Sequence, residues 1–359
     1  MPVAEYFNPD YARARERFHA AAGSAGAVLE SHVLPDHQGP EGEALAIDVA
    51  HLGAQDADRG LLIISGTHGV EGFCGSGCQI GFLRDRLYEA LPASACVTLV
   101  HALNPYGFAW LRRVNEAGID LNRNFIDFSQ PLPSSEAYEA LHELLVPADW
   151  TGPGRREADL ALGAFARQRG WRTLQTAVTS GQYTRPTGLF YGGTQTSWSA
   201  LTLRKILQQR LGSLQRVAVL DLHTGLGPAG YGEPIVIARQ AADFERARRW
   251  YGPEVRDLAA GESVSVPLVG TVPQGIDAAL PNAEVTSVGL EFGTFPEMEV
   301  LTALRADHWL HTHGQVDATL RAAIKQQMRQ AFYTDSPAWQ AAVYGRTADF
   351  VYRACRGLA

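Results

Sequence analysis

Five short apolar runs, at 61–65, 96–101, 217–222, 235–238 and 287–292, punctuate the chain, each of strand length and bounded by polar or glycine-containing segments. Between several of them the apolar residues fall at helical spacing instead, over 74–91, 157–179, 200–212 and 241–258, and further helical patterns follow at 297–328 and 337–355. Strands alternating with helices in this way specify an α/β fold, a mixed, mostly parallel twisted sheet lying between helices. No repeat, low-complexity tract or Pro/Ser/Gly linker divides the sequence, so residues 1–359 are expected to form a single domain. The least regular stretch, 125–191, is a candidate insertion over one end of the sheet.

Composition narrows the classes of function. With 31 basic and 38 acidic residues and a net charge of −7, the chain has no cationic footprint for nucleic acid or an anionic membrane. The first residues form neither a basic nor an apolar leader, and no apolar stretch approaches membrane-spanning length, so a cytoplasmic protein is expected. Cys74, Cys78, Cys96 and Cys355 are too few and too scattered for a disulfide framework and read as buried thiols. Glycine, at 36 residues, exceeds the usual share of roughly 7% without any collagen period, which points to many tight turns.

The first chemical cluster is Ile64-Ser65-Gly66-Thr67-His68-Gly69-Val70-Glu71-Gly72, where an apolar strand runs into a glycine-rich turn. That is where open α/β sheets place their ligands. His68 and Glu71 have the spacing to converge on one divalent ion, an imidazole nitrogen and a carboxylate oxygen both suiting zinc. Alone, the pair reads equally as a capped turn with a solvated charge at a helix start. A third ligand candidate, His223, ends the strand Val219-Leu220-Asp221-Leu222-His223 and would complete the two-histidine, one-glutamate set that leaves a position open for water. Glu291 sits inside the apolar run Val288-Gly289-Leu290-Glu291-Phe292. An acid buried there needs either a partner or a task such as general base.

A second cluster, Leu103-Asn104-Pro105-Tyr106-Gly107 followed by Arg112-Arg113-Val114-Asn115 and Gly118-Ile119-Asp120-Leu121-Asn122-Arg123-Asn124-Phe125, concentrates guanidinium and amide donors. Such donors match a carboxylate or a developing oxyanion. With these residues the sequence resembles the zinc metallocarboxypeptidases of the carboxypeptidase A type. Their pattern is H-x-x-E, N-P-x-G, R…D-x-N-R-N-[FW], a strand-borne His and a strand-borne Glu, and all five elements occur here in order over about 60–293. The short spacing from Arg113 to Arg123 is more similar to the bacterial murein-peptide carboxypeptidases and the succinylglutamate desuccinylase/aspartoacylase branch.

The resemblance implies one zinc per chain on His68, Glu71 and His223, with Glu291 as general base. It implies Asp120 as the acid orienting His68, and Asn122 and Arg123 as the grip on a free carboxylate. Arg113 matches the arginine that stabilises the oxyanion, with the adjacent Arg112 as the second candidate for substrate binding. No motif assigns the family's mobile tyrosine among Tyr183, Tyr191 and Tyr231. The implied enzyme is a zinc metallohydrolase cleaving a peptide or amide bond close to a carboxylate. Its substrate would be a small peptide or, alternatively, an N-acyl amino acid cleaved by a deacylase, and a pocket closed by 125–191 would favour the latter. An inactive binding protein on the same fold is the remaining reading. Gly225-Leu226-Gly227-Pro228-Ala229-Gly230 has the dinucleotide-binding frame but leads into an apolar strand, not a helix, and His308, His311 and His313 read as surface or helix-face histidines.

Overall fold

The central strands carry apolar side chains on both faces, and their alternation assigns each residue to one of two cores. Leu61, Ile63, Val97, Leu99, Ala218, Leu220, Val288 and Leu290 face one side, and Leu62, Ile64, Val100, Val217, Val219 and Val285 the other. The computed structural model describes residues 2–54, 56–314 and 316–359. Met1, the start of the N-terminal segment read above, and Gln315, within the helical pattern 297–328, lie outside the described residues, as does Gln55.

Eight strands form one sheet: β1 (Val28–Gln38), β2 (Ala44–Gly53), β3 (Arg59–Ser65), β4 (Ala95–His101), β5 (Arg216–Ala229), β6 (Gly232–Val236), β7 (Arg256–Asp257) and β8 (Glu284–Gly293). Their order across the sheet is β1-β2-β4-β3-β5-β8-β6-β7. The middle of the sheet is parallel, β4 with β3, β3 with β5 and β5 with β8, and antiparallel pairings flank it at β1/β2, β2/β4 and β8/β6. This is the mixed α/β sheet the sequence implies.

Thirteen helices are described: α1 (Tyr11–Ser24), α2 (Gly72–Arg84), α3 (Pro105–Ala109), α4 (Glu136–Glu139), α5 (His142–Leu145), α6 (Pro153–Arg169), α7 (Trp171–Thr179), α8 (Trp198–Leu211), α9 (Ala241–Tyr251), α10 (Val272–Ala279), α11 (Glu297–His313), α12 (Ala318–Phe332) and α13 (Pro337–Leu358). On one face α2 and α13 supply Phe73, Cys74, Val343 and Phe350, and on the other α8 and α10 supply Leu203, Ile206, Leu207, Val272 and Ile276. Helix α2 lies close on the sheet because it is glycine-rich there: a Cβ on Gly75 would stand 2.6 Å from Ser65 Cβ. All four cysteines are buried and free.

Two helical patterns are split where the chain needs a left-handed residue. The pattern 157–179 breaks at Gly170 (φ +89°) into α6 and α7, and that at 297–328 breaks at Gly314 (φ +50°), after which Asp317 caps α12 by accepting from Leu320 N at 2.9 Å. Among the described residues, no helix is long and apolar enough to cross a membrane.

Candidate active site

Three parallel strands, β3, β5 and β8, deliver their carboxyl ends to one place. In the sheet register Ile64 pairs with Asp221 and His223 with Glu291, so His223 and Glu291 project side by side from one face. Beyond Ser65 the chain turns through Gly66 (φ +65°) and carries His68 and Glu71 back over the end of β5. The turn is pressed against the Asn104-Pro105-Tyr106-Gly107 corner so tightly that a Cβ on Gly69 would lie 2.1 Å from the Gly107 carbonyl carbon. Backbone bonds from Gly69 N to Arg113 O (3.1 Å) and Val70 N to Arg112 O (2.8 Å) tie the turn to the arginine loop.

His68, Glu71 and His223 are all buried, and one candidate ligand atom from each lies within 4.8 Å of the other two. His68 Nδ1 is 2.8 Å from Glu71 Oε1 and 3.3 Å from His223 Nδ1, while His223 Nδ1 is 3.1 Å from Glu71 Oε2. Glu71 is turned inward, accepting also from Thr224 N at 3.1 Å, and is not a solvated helix-start charge. The remaining imidazole nitrogens face carboxylates: His68 Nε2 is 3.2 Å from Asp120 Oδ1, and His223 Nε2 is 2.9 Å from Asp221 Oδ2. With Nδ1 of each ring aimed at the cluster, the carboxylates fix the complementary tautomer, the arrangement metal-binding histidines use. Two imidazole nitrogens backed in this way and one carboxylate oxygen fit a zinc-type divalent ion.

Burial opposes charge on Glu71, His223 and Asp120, and neighbouring opposite charges offset it. Burial would raise the Glu71 carboxyl, but His68 and His223 hold it well below the carboxylate range. Burial would lower His223, but Asp221 and Glu71 hold it well above the ordinary imidazole value. Asp120 is likewise held low against burial, chiefly by Arg113 and His68. Glu291 behaves oppositely: burial and then the charge on Glu71 push it up to about 7, with Leu226 N donating to its Oε1 at 3.0 Å.

The two inward-facing arginines differ in kind. Arg113 donates from Nε to Asp120 Oδ2 (2.9 Å) and from Nη1 to Glu71 Oε1 (3.2 Å), and its Nη2 lies 2.7 Å from His68 Nε2. Those anions raise it despite burial. Arg123, only 2% exposed, donates from Nη1 to Asn122 O (2.7 Å) and from Nε and Nη2 to Thr179 O, the carbonyl ending α7. It forms no ion pair among the described residues, and burial lowers it to about 10. The Phe190 ring lies under both guanidinium groups, 5.1 Å from Arg113 and 5.6 Å from Arg123.

Many of these side chains line one chamber. His68, Arg113, Asn122, Arg123, His223 and Glu291 reach it, and so does Asp221, which spacing alone passed over. The signal for Asp221 was present in Asp221-Leu222-His223: residues two apart on a strand share a face. Asp120 stands behind Arg113 and His68, one step back from the chamber. Arg112 does not reach it. Its guanidinium turns the other way, to buried Asp307 (Nε to Oδ2, 3.0 Å), because adjacent residues of this loop point to opposite sides.

The asparagines of the second cluster are mostly structural. Asn104 accepts from Gly107 N, Asn115 from Ala117 N and Ile119 N, and Asn124 from Ser197 N, so their amides hold the loop instead of facing the chamber. Tyr183 donates to Arg123 O at 2.7 Å, and neither it nor Tyr191 or Tyr231 lines the chamber. His308 is buried on α11 with Nδ1 3.4 Å from Thr187 O, not at the surface. Gly225 and Gly227 belong to the end of β5, where no helix follows.

Fold and site together define an α/β protein with a buried His68–Glu71–His223 cluster, able to hold a metal, at the carboxyl ends of its central strands. The chain belongs to the family described as "Protein of unknown function (DUF2817)", whose model matches residues 7–346. No curated protein matches it in sequence. Among solved structures it is similar to carboxypeptidase A from Helicoverpa armigera, with 14% identity, 96% of this chain and 74% of that one covered, and a TM-score of 0.46. It is similar also to bovine thrombin-activatable fibrinolysis inhibitor, solved with tick carboxypeptidase inhibitor (10%, 95% and 97%, 0.44). A Shewanella amazonensis protein provisionally assigned to the succinylglutamate desuccinylase/aspartoacylase family is a third (17%, 79% and 73%, 0.37).

Proposed function

We propose that the protein is a zinc-dependent amide hydrolase whose substrate carries a free carboxylate next to the scissile bond. The observation that carries this reading is the pairing, in one chamber, of His68 and His223, with Glu71 buried behind them, and Arg123, a buried cation that has no carboxylate of its own. His68, Glu71 and His223 would hold one zinc per chain, which when bound supplies Lewis acidity toward water and the carbonyl.

Arg123, with Asn122 beside it, receives the substrate carboxylate by a two-pronged guanidinium contact. Arg113 meets the oxygen on which charge develops as the carbonyl carbon becomes tetrahedral. Glu291, with its carboxyl near 7, takes a proton from the attacking water and passes it to the leaving nitrogen as the C–N bond breaks. Residues of the segment 125–191 wall the chamber through Trp171, Leu174, Gln175, Val178, Thr179 and Phe190, which favours a small N-acyl amino acid over a polypeptide end.

Metal analysis tests the reading. Purified protein should contain about one zinc per chain, and the His68→Ala/His223→Ala double variant none. Glu291→Gln should keep the zinc and lose turnover, by about 10²-fold or more. Full turnover in Glu291→Gln would overturn the mechanism, and a wild type that takes up no zinc would leave a binding protein on this fold.

A further inference from the structure

The chamber is polar at one end and apolar at the other, and α7 spans the two. Its last residue, Thr179, accepts from Arg123, whereas its first, Trp171, donates from the indole to Glu297 at the start of α11. They are eight positions apart along the helix, so the ends stand about 12 Å apart. At the Trp171 end the wall includes Val300, Leu301 and Leu304 from α11, Phe332 from α12 and Leu226 from the last part of β5.

This wall is fastened beside the metal-ligand cluster. Thr224 Oγ1 donates to Phe332 O at 2.7 Å, and Phe332 and Val300 flank Gly225, two residues beyond His223. The cluster and Glu291 therefore stand between Arg123 and this apolar surface. No cation of the described residues lines that end, and its one acid, Glu297, is engaged by Trp171. Arg112 is committed to Asp307, and Arg172, next to Trp171 on α7, is occupied by Gln175 Oε1 and the Ser263 carbonyl.

We infer that the acyl half of the substrate is an uncharged apolar chain or ring, so that the protein acts on N-acyl amino acids with lipophilic acyl groups and discriminates against acetyl and dicarboxylic acyl groups. This rests on the amide-hydrolase reading above. Seating an apolar chain on Leu226, Val300, Leu301 and Leu304 removes apolar surface from water on both sides. A succinyl carboxylate there would be desolvated without a partner and set beside Glu297.

The test uses zinc-loaded Glu291→Gln and three ligands sharing one amino acid, N-octanoyl-, N-acetyl- and N-succinyl-phenylalanine, with binding measured by calorimetry and hydrolysis followed separately in wild type. Octanoyl should bind at least about tenfold more tightly than acetyl, and succinyl most weakly. Leu304→Glu, whose fold and zinc content are checked alongside, should abolish the octanoyl advantage and leave acetyl binding little changed. Equal binding of the three, or a preference for succinyl, overturns the inference. The binding order without hydrolysis of any member in wild type supports the chamber's selectivity and sinks the hydrolase reading alone.

Discussion

Asp221 shows how much of this site is decided by single side chains outside the ligand set. It is 2% exposed, takes Thr67 Oγ1 on one oxygen at 2.9 Å and faces His223 Nε2 with the other. The bond fixes which imidazole nitrogen carries the proton and joins the ends of β3 and β5 through two side chains. Removing the carboxylate's charge while keeping its shape should leave the fold intact and loosen the metal. Asp221→Asn is expected to weaken zinc binding about 10- to 100-fold, as read by competition with a chelator, with little change in thermal midpoint. Unchanged affinity would mean that strand geometry alone orients His223. Arg113 and Arg123 make a parallel contrast, since both are inward guanidinium groups of one loop, yet only Arg123 lacks an anion of its own.

Among elements, the contact that binds the arginine loop to the helical layer is Asp307 on α11. It accepts from Arg112 and, at 2.6 Å, from Lys325 Nζ on α12, so one carboxylate joins two helices to the loop that hydrogen-bonds the His68–Glu71 turn. Burial would raise this carboxyl, but Lys325 and Arg112 hold it well below the usual range. For an acid lowered on folding, the stabilisation is complete above the unfolded-chain value of about 4, declines as the pH falls below it, and is gone only once the pH has passed through the lower folded-state value. Asp307→Ala, which leaves two cations facing each other, should cost about 3 kcal/mol of stability at pH 7 and roughly 1 kcal/mol less than that at pH 3, measured by denaturant unfolding. The buried strands 61–65, 96–101, 217–222 and 287–292 were legible because apolar runs flanked by glycine admit few alternatives, and they carry the cluster. By contrast, β1 was not legible: it is an edge strand, exposed along most of its length, with Pro35 where its register against β2 shifts. Nor was the burial of His308 or the direction of Arg112, because both depend on α11 crossing beneath the arginine loop, a tertiary fact that no local spacing encodes.

For the whole molecule, the decisive feature is that the three strands meeting at the site are distant in sequence. His68 and His223 lie 155 positions apart, and Glu291 sits a further strand away on β8. Strand β5 is held between β3 and β8, so its end is fixed only when both neighbours are in place. A chain ending at Ala283 keeps every proposed ligand but lacks β8 and the helices after it, and on refolding with zinc it should retain none after gel filtration against a chelator; retention would show that β3 and β5 suffice. The sheet order thus carries a rule about timing. On the ribosome the proposed ligands emerge long before the strand that completes their setting, and non-local strand pairing of this kind forms slowly. For the proposed ligand set, loading with metal is then an event that follows the synthesis of β8, and a product cut short before that strand is left without it, so occupancy of the site would report that β8 has been made and docked.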